Sequence, residues 1–171
     1  IFSTGDPNQE PNANSELSIA YGHYNGSGSK DTTGNLNNDT PTRAIYKQYA
    51  QLLLAPNDKK FTFDGTDSDS IYVLNFNRAR VREKLDPGNL ELTLAELNTG
   101  VANDSHTGSA VKIKTSSPVH YQIIDDSSLT SGGGVSEGGL VYNLVSGSIE
   151  EGTSIHNSAS PVHYGLLYPQ H

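Results

Sequence analysis

The 6 histidines are the first residues with which this chain could do chemistry. His120 and His163 occupy equivalent places in a repeated pentapeptide, Ser117-Pro118-Val119-His120-Tyr121 and Ser160-Pro161-Val162-His163-Tyr164, and Asp125 and Asp126 follow the first copy closely. Imidazoles with carboxylates at hand could bind a divalent metal or move a proton. The spacing speaks against it, because there is no His-Glu-x-x-His and no tight ligand pair. Histidine beside tyrosine at a strand start is more often a packing residue with satisfied hydrogen bonds. No catalytic residue, metal ligand or cofactor is therefore assigned.

Asp64-Gly65-Thr66-Asp67-Ser68-Asp69 has the composition of a calcium loop but lacks the order of ligands and the distal bidentate Glu, so it reads as a solvated turn. Gly26-Ser27-Gly28-Ser29-Lys30 could cradle a phosphate, yet no Gly-Lys-Ser/Thr is present, and its Ser-x-x-Lys lacks companion motifs. It reads as a polar loop. There is no Gly-x-Ser-x-Gly, and the sequons at Asn25, Asn38 and Asn103 are what an Asn- and Ser-rich chain produces anyway.

The most pointed charge feature is Arg78, Arg80 and Arg82, with Lys84 beyond. On a regular strand the three guanidinium groups share one side, while Phe76, Ala79 and Val81 are the inward candidates. The mismatch between Phe76 and Ala79 implies a bulge near Asn77 or a change of face. Such a ladder could pair bidentately with carboxylates of a partner, or with Glu83, Glu91 and Glu96 of its own hairpin.

The elements that must position these residues centre on 70–94. Ile71-Tyr72-Val73-Leu74 is a β-branched and aromatic run, Leu90, Leu92 and Leu94 alternate with Glu91 and Thr93, and Asp86-Pro87-Gly88-Asn89 is turn chemistry. The pattern predicts an antiparallel hairpin over 71–94, with Gly88 at positive φ. Thr40 as N-cap and Pro41 at the first position open a helix, with Ala44, Ile45, Tyr49, Leu52 and Leu53 at helical spacing and Pro56 as its stop. Further strands are expected at 60–63, 110–114, 120–124 and 140–145, with a turn at Ser146-Gly147-Ser148. The pentapeptide echo marks two similar strand starts. Two copies are too few for a solenoid, which needs roughly three or more.

Gly, Ser, Asn, Asp and Thr dominate a chain of which only 33% is hydrophobic, yet 9 Tyr and 4 Phe argue for order. The predicted class is mainly β with one α-helix, loop-rich, built of antiparallel hairpins or several small β modules, with α+β as the alternative. Residues 1–40, dense in turn residues apart from Leu17-Ser18-Ile19-Ala20-Tyr21, read as an extended, irregular arm. Residues 41–130 hold the helix and central hairpin, 131–139 a Gly/Ser-rich flexible connector, and 140–171 a β segment continuing into a larger chain. The absence of methionine and the apolar run near the end point to a piece of something longer, since about four methionines are ordinary at this length.

A formal charge of -8 disfavours nucleic acid and anionic membrane as partners of the surface at large. No apolar run approaches the ~20 residues of a membrane span. With no cysteine, disulfides and thiolate metal sites are excluded.

The run IYVLNFNRARVREKLDPGNLELTLAEL, the upstream SELSIAYGHYNGSGS and TPTRAIYKQYAQLLL, and the closing VHYGLLYPQH resemble large virion structural proteins of contractile-tailed phages, particularly those infecting cyanobacteria. The resemblance covers most of 15–97 and the last dozen residues. It implies a non-enzymatic tail or baseplate component, assembled in the host cytoplasm into the virion, with other virion proteins as partners in multiple symmetric copies and neither nucleic acid nor membrane among them. Arg78, Arg80, Arg82, Leu17, Ile19 and Tyr21 are the expected protein-interaction residues. The rivals are a receptor- or glycan-binding β module using exposed Tyr and Asn/Asp, and a tail-associated hydrolase.

Overall fold

A computed structural model describes residues 17–30, 40–78, 84–96, 100–103, 110–113, 119–129, 132–158 and 162–170. The fold is mainly β with one long helix among the described residues, whose strand pairs are all antiparallel. The described residues fall into two compact units, one within Ile1–Leu85, Gly134–Val141 and Tyr168–His171, the other within Asp86–Gly133 and Tyr142–Leu167.

In the first unit β1 (Leu17–His23) runs antiparallel to β4 (Ser70–Phe76), from Leu17 opposite Phe76 to His23 opposite Ser70. The helix α1 (Pro41–Leu53) packs on β1. Period two puts Ser18, Ala20 and Gly22 on the face toward α1, opposite Asn75, Val73 and Ile71. Small residues there allow close approach. A Cβ on Gly22 would stand 2.9 Å from the Tyr46 backbone nitrogen. Ile71 is buried and Asn75 Nδ2 donates to Tyr49 Oη at 2.7 Å.

The buried positions of α1 are Thr42, Tyr46, Ala50 and Leu53. This corrects the expected face, of which only Leu53 is buried while Leu52 is exposed. Tyr46 is fully buried: its hydroxyl donates to the Ser68 carbonyl at 2.6 Å and accepts from Phe61 N at 3.1 Å. Its ring meets Tyr24 and Phe61 edge-on. At the helix start the Thr40 hydroxyl donates to the Gly26 carbonyl, and Ser29 Oγ accepts from Thr42 N at 3.0 Å. The Gly/Ser loop thus supplies the side-chain oxygen that a helix N-terminus requires. Leu54 ends the helix in extended conformation, two residues before Pro56.

The short strands β2 (Phe61–Phe63) and β3 (Thr66–Ser68) form a hairpin across Asp64 and Gly65, both at positive φ as a type I′ turn demands. The 64–69 stretch is therefore part strand, where a turn alone was expected.

The second unit holds a sheet in which β5 (Glu91–Glu96) pairs with β8 (Val119–Asp125), and β8 with the part of β10 (Gly139–Glu150) from Tyr142 onward, which belongs to this unit. Farther along, β10 pairs with β11 (Thr153–His156) across a Glu151-Gly152 turn, and with β12 (His163–Leu167). A separate pair joins β6 (Gly100–Asn103) to β7 (Ala110–Ile113). Ile123, Ile124, Val145 and Leu167 are buried. Gly147 has no room for a Cβ between Ile124 and the Ile155 carbonyl.

Several expectations are corrected. The 71–94 hairpin does not form: β4 pairs with β1, β5 pairs with β8, and the two strands belong to different units. The turn itself is present, with Asn89 N donating to the Asp86 carbonyl and Gly88 at φ 88°. β4 ends at Phe76, so Arg78 lies outside the strand, and Arg80 and Arg82 lie outside the described residues. Within 1–40, Leu17–His23 is a fully paired strand and not an irregular arm, while 1–16 and 31–39 lie outside the described residues. The connector contains β9 (Gly134–Ser136), a hairpin partner of Gly139–Val141. Its Ser136 Oγ accepts from Gly138 N at 3.1 Å. The strand β10 runs through Ser146–Ser148, where a turn was expected. The two units also differ from the consecutive segments that composition suggested.

Candidate functional site

The outer face of the β1–β4 sheet carries Leu17, Ile19 and Tyr21 opposite Phe76, Leu74 and Tyr72. Side chains on the pleat alternate, so the residues pointing away from α1 are the large apolar ones. Tyr72 is 72% exposed and Ile19 58%, whereas Leu17, Tyr21, Leu74 and Phe76 are half-buried. The Tyr21 and Tyr72 rings lie 5.1 Å apart, tilted by 44°. Tyr21 Oη and Ser70 Oγ are 3.3 Å apart at the same end. None of the six residues is charged. Gly22 lies against the helix backbone at Tyr46, and a Cβ on Gly28 would stand 2.9 Å from Tyr21 Cε1, so the loop at the start of α1 lies against the Tyr21 end of the face.

Three of the expected interaction residues, Leu17, Ile19 and Tyr21, are thus brought together on one face. Arg78 is exposed and lies outside the strand. Arg80 and Arg82 lie outside the described residues. Glu91, one expected partner of the ladder, accepts from Ile149 N at 2.7 Å within its own unit. Tyr72, Leu74 and Phe76 join Leu17, Ile19 and Tyr21 through the β1–β4 pairing, which the expected 71–94 hairpin does not contain. The alternation Tyr72–Leu74–Phe76 against Leu17–Ile19–Tyr21 was the signal that could have found them.

The histidines behave differently. His120 is exposed and His163 half-buried, and the described residues contain no group of three or more His, Asp or Glu able to hold a metal. Their neighbours do meet: the Tyr121 and Tyr164 rings are 6.3 Å apart, edge to face. Asp125 and Asp126 are both buried, and their oxygens are committed to the fold. Asp125 accepts from Gly88 N at 2.9 Å and Ser127 N at 3.1 Å, while Asp126 accepts from Asn143 N at 2.8 Å and Asn143 Nδ2 at 2.7 Å. These carboxylates tie a turn and a strand to the end of β8.

A serine and histidine that no motif marked also meet. Ser128 Oγ lies 2.9 Å from His156 Nε2, the geometry of a nucleophile and its base. The buried His156 Nδ1 has no hydrogen-bond partner, so the carboxylate that would orient the imidazole is not supplied.

In the first unit Lys60 Nζ is 2.7 Å from Asp69 Oδ1 and 4.6 Å from the centroid of the Tyr24 ring. The hydrogen bond raises the pKa of the lysine and lowers that of the aspartate. This exposed ion pair holds the strand that leads into Tyr72, at a modest energy. The phosphate-cradle motif is filled by its own serine, since Ser29 Oγ sits on the helix N-terminus where an anion would bind.

No protein-family model matches this chain, no curated protein matches it, and no solved structure matches its fold.

Proposed function

We propose that this chain acts by assembly, as a non-enzymatic structural segment that holds other protein chains through the outer face of its β1–β4 sheet. The observation that carries this reading is the uncharged face with Tyr72 and Ile19 largely exposed beside four other large apolar side chains. A contiguous apolar patch rimmed by polar residues is the ordinary mark of an interaction surface. Resemblance to virion proteins of contractile-tailed phages supplies the context: a tail or baseplate component with other virion proteins as its partners.

The experiment is incorporation. Peptides of the chain are expected at stoichiometric abundance in purified particles of the encoding phage. Tyr72→Asp is expected to reduce tail assembly while the isolated variant keeps the circular dichroism of the original. A chain missing from particles overturns the virion reading, and unchanged assembly in Tyr72→Asp removes the face from it.

A second reading, a glycan- or receptor-binding module, is favoured by the exposed Tyr72 ring beside the half-buried Tyr21, with the Tyr21 and Ser70 hydroxyls at its edge. Tyrosine offers an apolar ring and a polar tip together. Saturation of tyrosine fluorescence by a soluble glycan, lost in Tyr72→Ala, would favour that reading. The hydrolase reading rests on Ser128 and His156, and the unoriented imidazole weighs against it.

A further inference from the structure

We infer that Asn25–Gly26, in the loop between β1 and α1, is a deamidation site that the fold holds closed and that opens when this loop lifts from the helix start. The inference is independent of the assembly reading. Asn25 is the one asparagine of the chain that is followed by glycine. The main-chain nitrogen after an asparagine can attack the side-chain Cγ, and glycine, with no Cβ, crowds that approach least. The bond from Gly26 N to Asn25 Cγ forms, the bond from Cγ to Nδ2 breaks, and ammonia leaves with the proton that Gly26 N gives up. Water then opens the five-membered imide at one carbonyl or the other. The products are aspartate, or isoaspartate with the main chain running through the side-chain carbons. Water is the sole co-reactant.

The loop presents the amide and restrains the nitrogen. Asn25 is exposed, so water reaches its side chain. Gly26 is buried at φ 85°. Its N–H donates to the His23 carbonyl at 3.0 Å, its carbonyl accepts from the Thr40 hydroxyl at 3.2 Å, and Asn25 N donates to His23 Nδ1 at 3.1 Å. A nitrogen that donates its proton to His23 is not free to lose it and turn on Cγ, so attack waits until the bonds on both sides of Gly26 break. Loops open at lower free energy than the strands and helices they join.

The product cannot return to the same loop. Isoaspartate adds one carbon to the main chain between Asn25 Cα and Gly26 N, and three contacts downstream depend on the original length. The Gly26 carbonyl meets Thr40, Gly28 lies against the Tyr21 ring, and Ser29 Oγ accepts from Thr42 N. Displacing Ser29 takes from the start of α1 the side-chain oxygen that its free N–H groups require.

The test follows every asparagine of the whole chain by peptide mass spectrometry, with isoaspartate counted by enzymatic methylation, during incubation at one mildly alkaline pH in buffer and in urea. In urea Asn25 is expected to convert faster than any other asparagine. In buffer it is expected to convert at least about tenfold more slowly than in urea, as for a site reached only by local opening. Thr40→Val removes the donor to the Gly26 carbonyl and Ser29→Ala the oxygen on Thr42 N, and each is expected to convert several-fold faster in buffer with circular dichroism retained. The purified isoaspartate form should melt below the unmodified chain. Slow conversion of Asn25 in urea overturns the site, equal rates in buffer and urea overturn the closure, and two folded variants that convert at the original rate overturn the loop as its cause. Should both variants fail to fold, amide exchange at Gly26 of the original chain decides: protection that matches the slowing of deamidation supports the inference, and exchange as fast as in urea overturns it.

Discussion

Tyr46 ties the helix to two other segments of the first unit. Its ring fills the space between Tyr24 and Phe61, and its hydroxyl joins the Ser68 carbonyl to Phe61 N. Burial raises its pKa above the usual 10.0, and burial does the same to Tyr168. The linkage has a definite sign: above pH 10 the unfolded chain gives up tyrosine protons that the folded chain keeps, so the unfolded state binds fewer protons and stability falls as pH rises. Thermal melts between pH 8 and pH 11, spanning that ordinary value of 10.0, are expected to fall steeply in the upper part of the range. Tyr46→Phe should lower stability at neutral pH by about 1–3 kcal/mol, because Phe61 N loses its acceptor. The same variant should show a shallower alkaline decline, and an unchanged slope would exclude Tyr46 as its source. In the second unit Asp125→Ala strands Gly88 N and Ser127 N, with an expected loss of about 1–3 kcal/mol by urea denaturation. Gly88→Val is expected to cost more than ~1 kcal/mol, since a β-branched residue is poorly tolerated at a φ of 88°.

At the scale of elements, the parts of the sequence that spoke clearly were those whose signal is local. Thr40-Pro41 and Pro56 bounded α1 well, because a proline acts on its own neighbours whatever lies across the fold. Gly88 was found at positive φ for the same reason. What stayed hidden was non-local. The Asp86–Asn89 turn resembles a hairpin turn, but strands on either side of a turn need not pair, and here each found its partner elsewhere. The buried face of the helix is not the one that Ala44, Ile45, Tyr49, Leu52 and Leu53 suggest. Tyr46 and Thr42 are buried, the first because its hydroxyl is satisfied inside. Of the candidate face, Leu17, Ile19 and Tyr21 were visible as an apolar island, and the other half required knowledge of the register. The closeness of β1 to α1 yields a direct test: Gly22→Ala places a methyl within 2.9 Å of the Tyr46 nitrogen, which belongs to helix backbone and cannot turn aside. A loss of about 1–3 kcal/mol with an unchanged denaturant slope is expected. A neutral substitution would mean that α1 can move away from the sheet.

The whole molecule is acidic, and its arginines stand against that background. Replacing Arg78, Arg80 and Arg82 together by Gln takes the formal charge from -8 to -11, since three positive charges are removed. Arg78 is exposed, so truncating its charge should leave folding within about 0.5 kcal/mol. A formal charge of -8 weighs against general attraction to nucleic acid. Three or four cations neutralise too few phosphates to hold a duplex at physiological salt against so much repulsion. A protein partner changes the arithmetic, because removing one member of a desolvated Arg–carboxylate pair leaves the other buried and unpaired, at a cost of several kcal/mol. If the proposed assembly role holds and the arginines serve it, the triple variant is expected to keep the thermal midpoint of the original chain and to lose incorporation into particles. Retained incorporation would mark the arginines as a solvated run. A lowered midpoint with incorporation scaled down in proportion would assign them to the fold of this chain, and the interaction surface would then rest on the β1–β4 face alone.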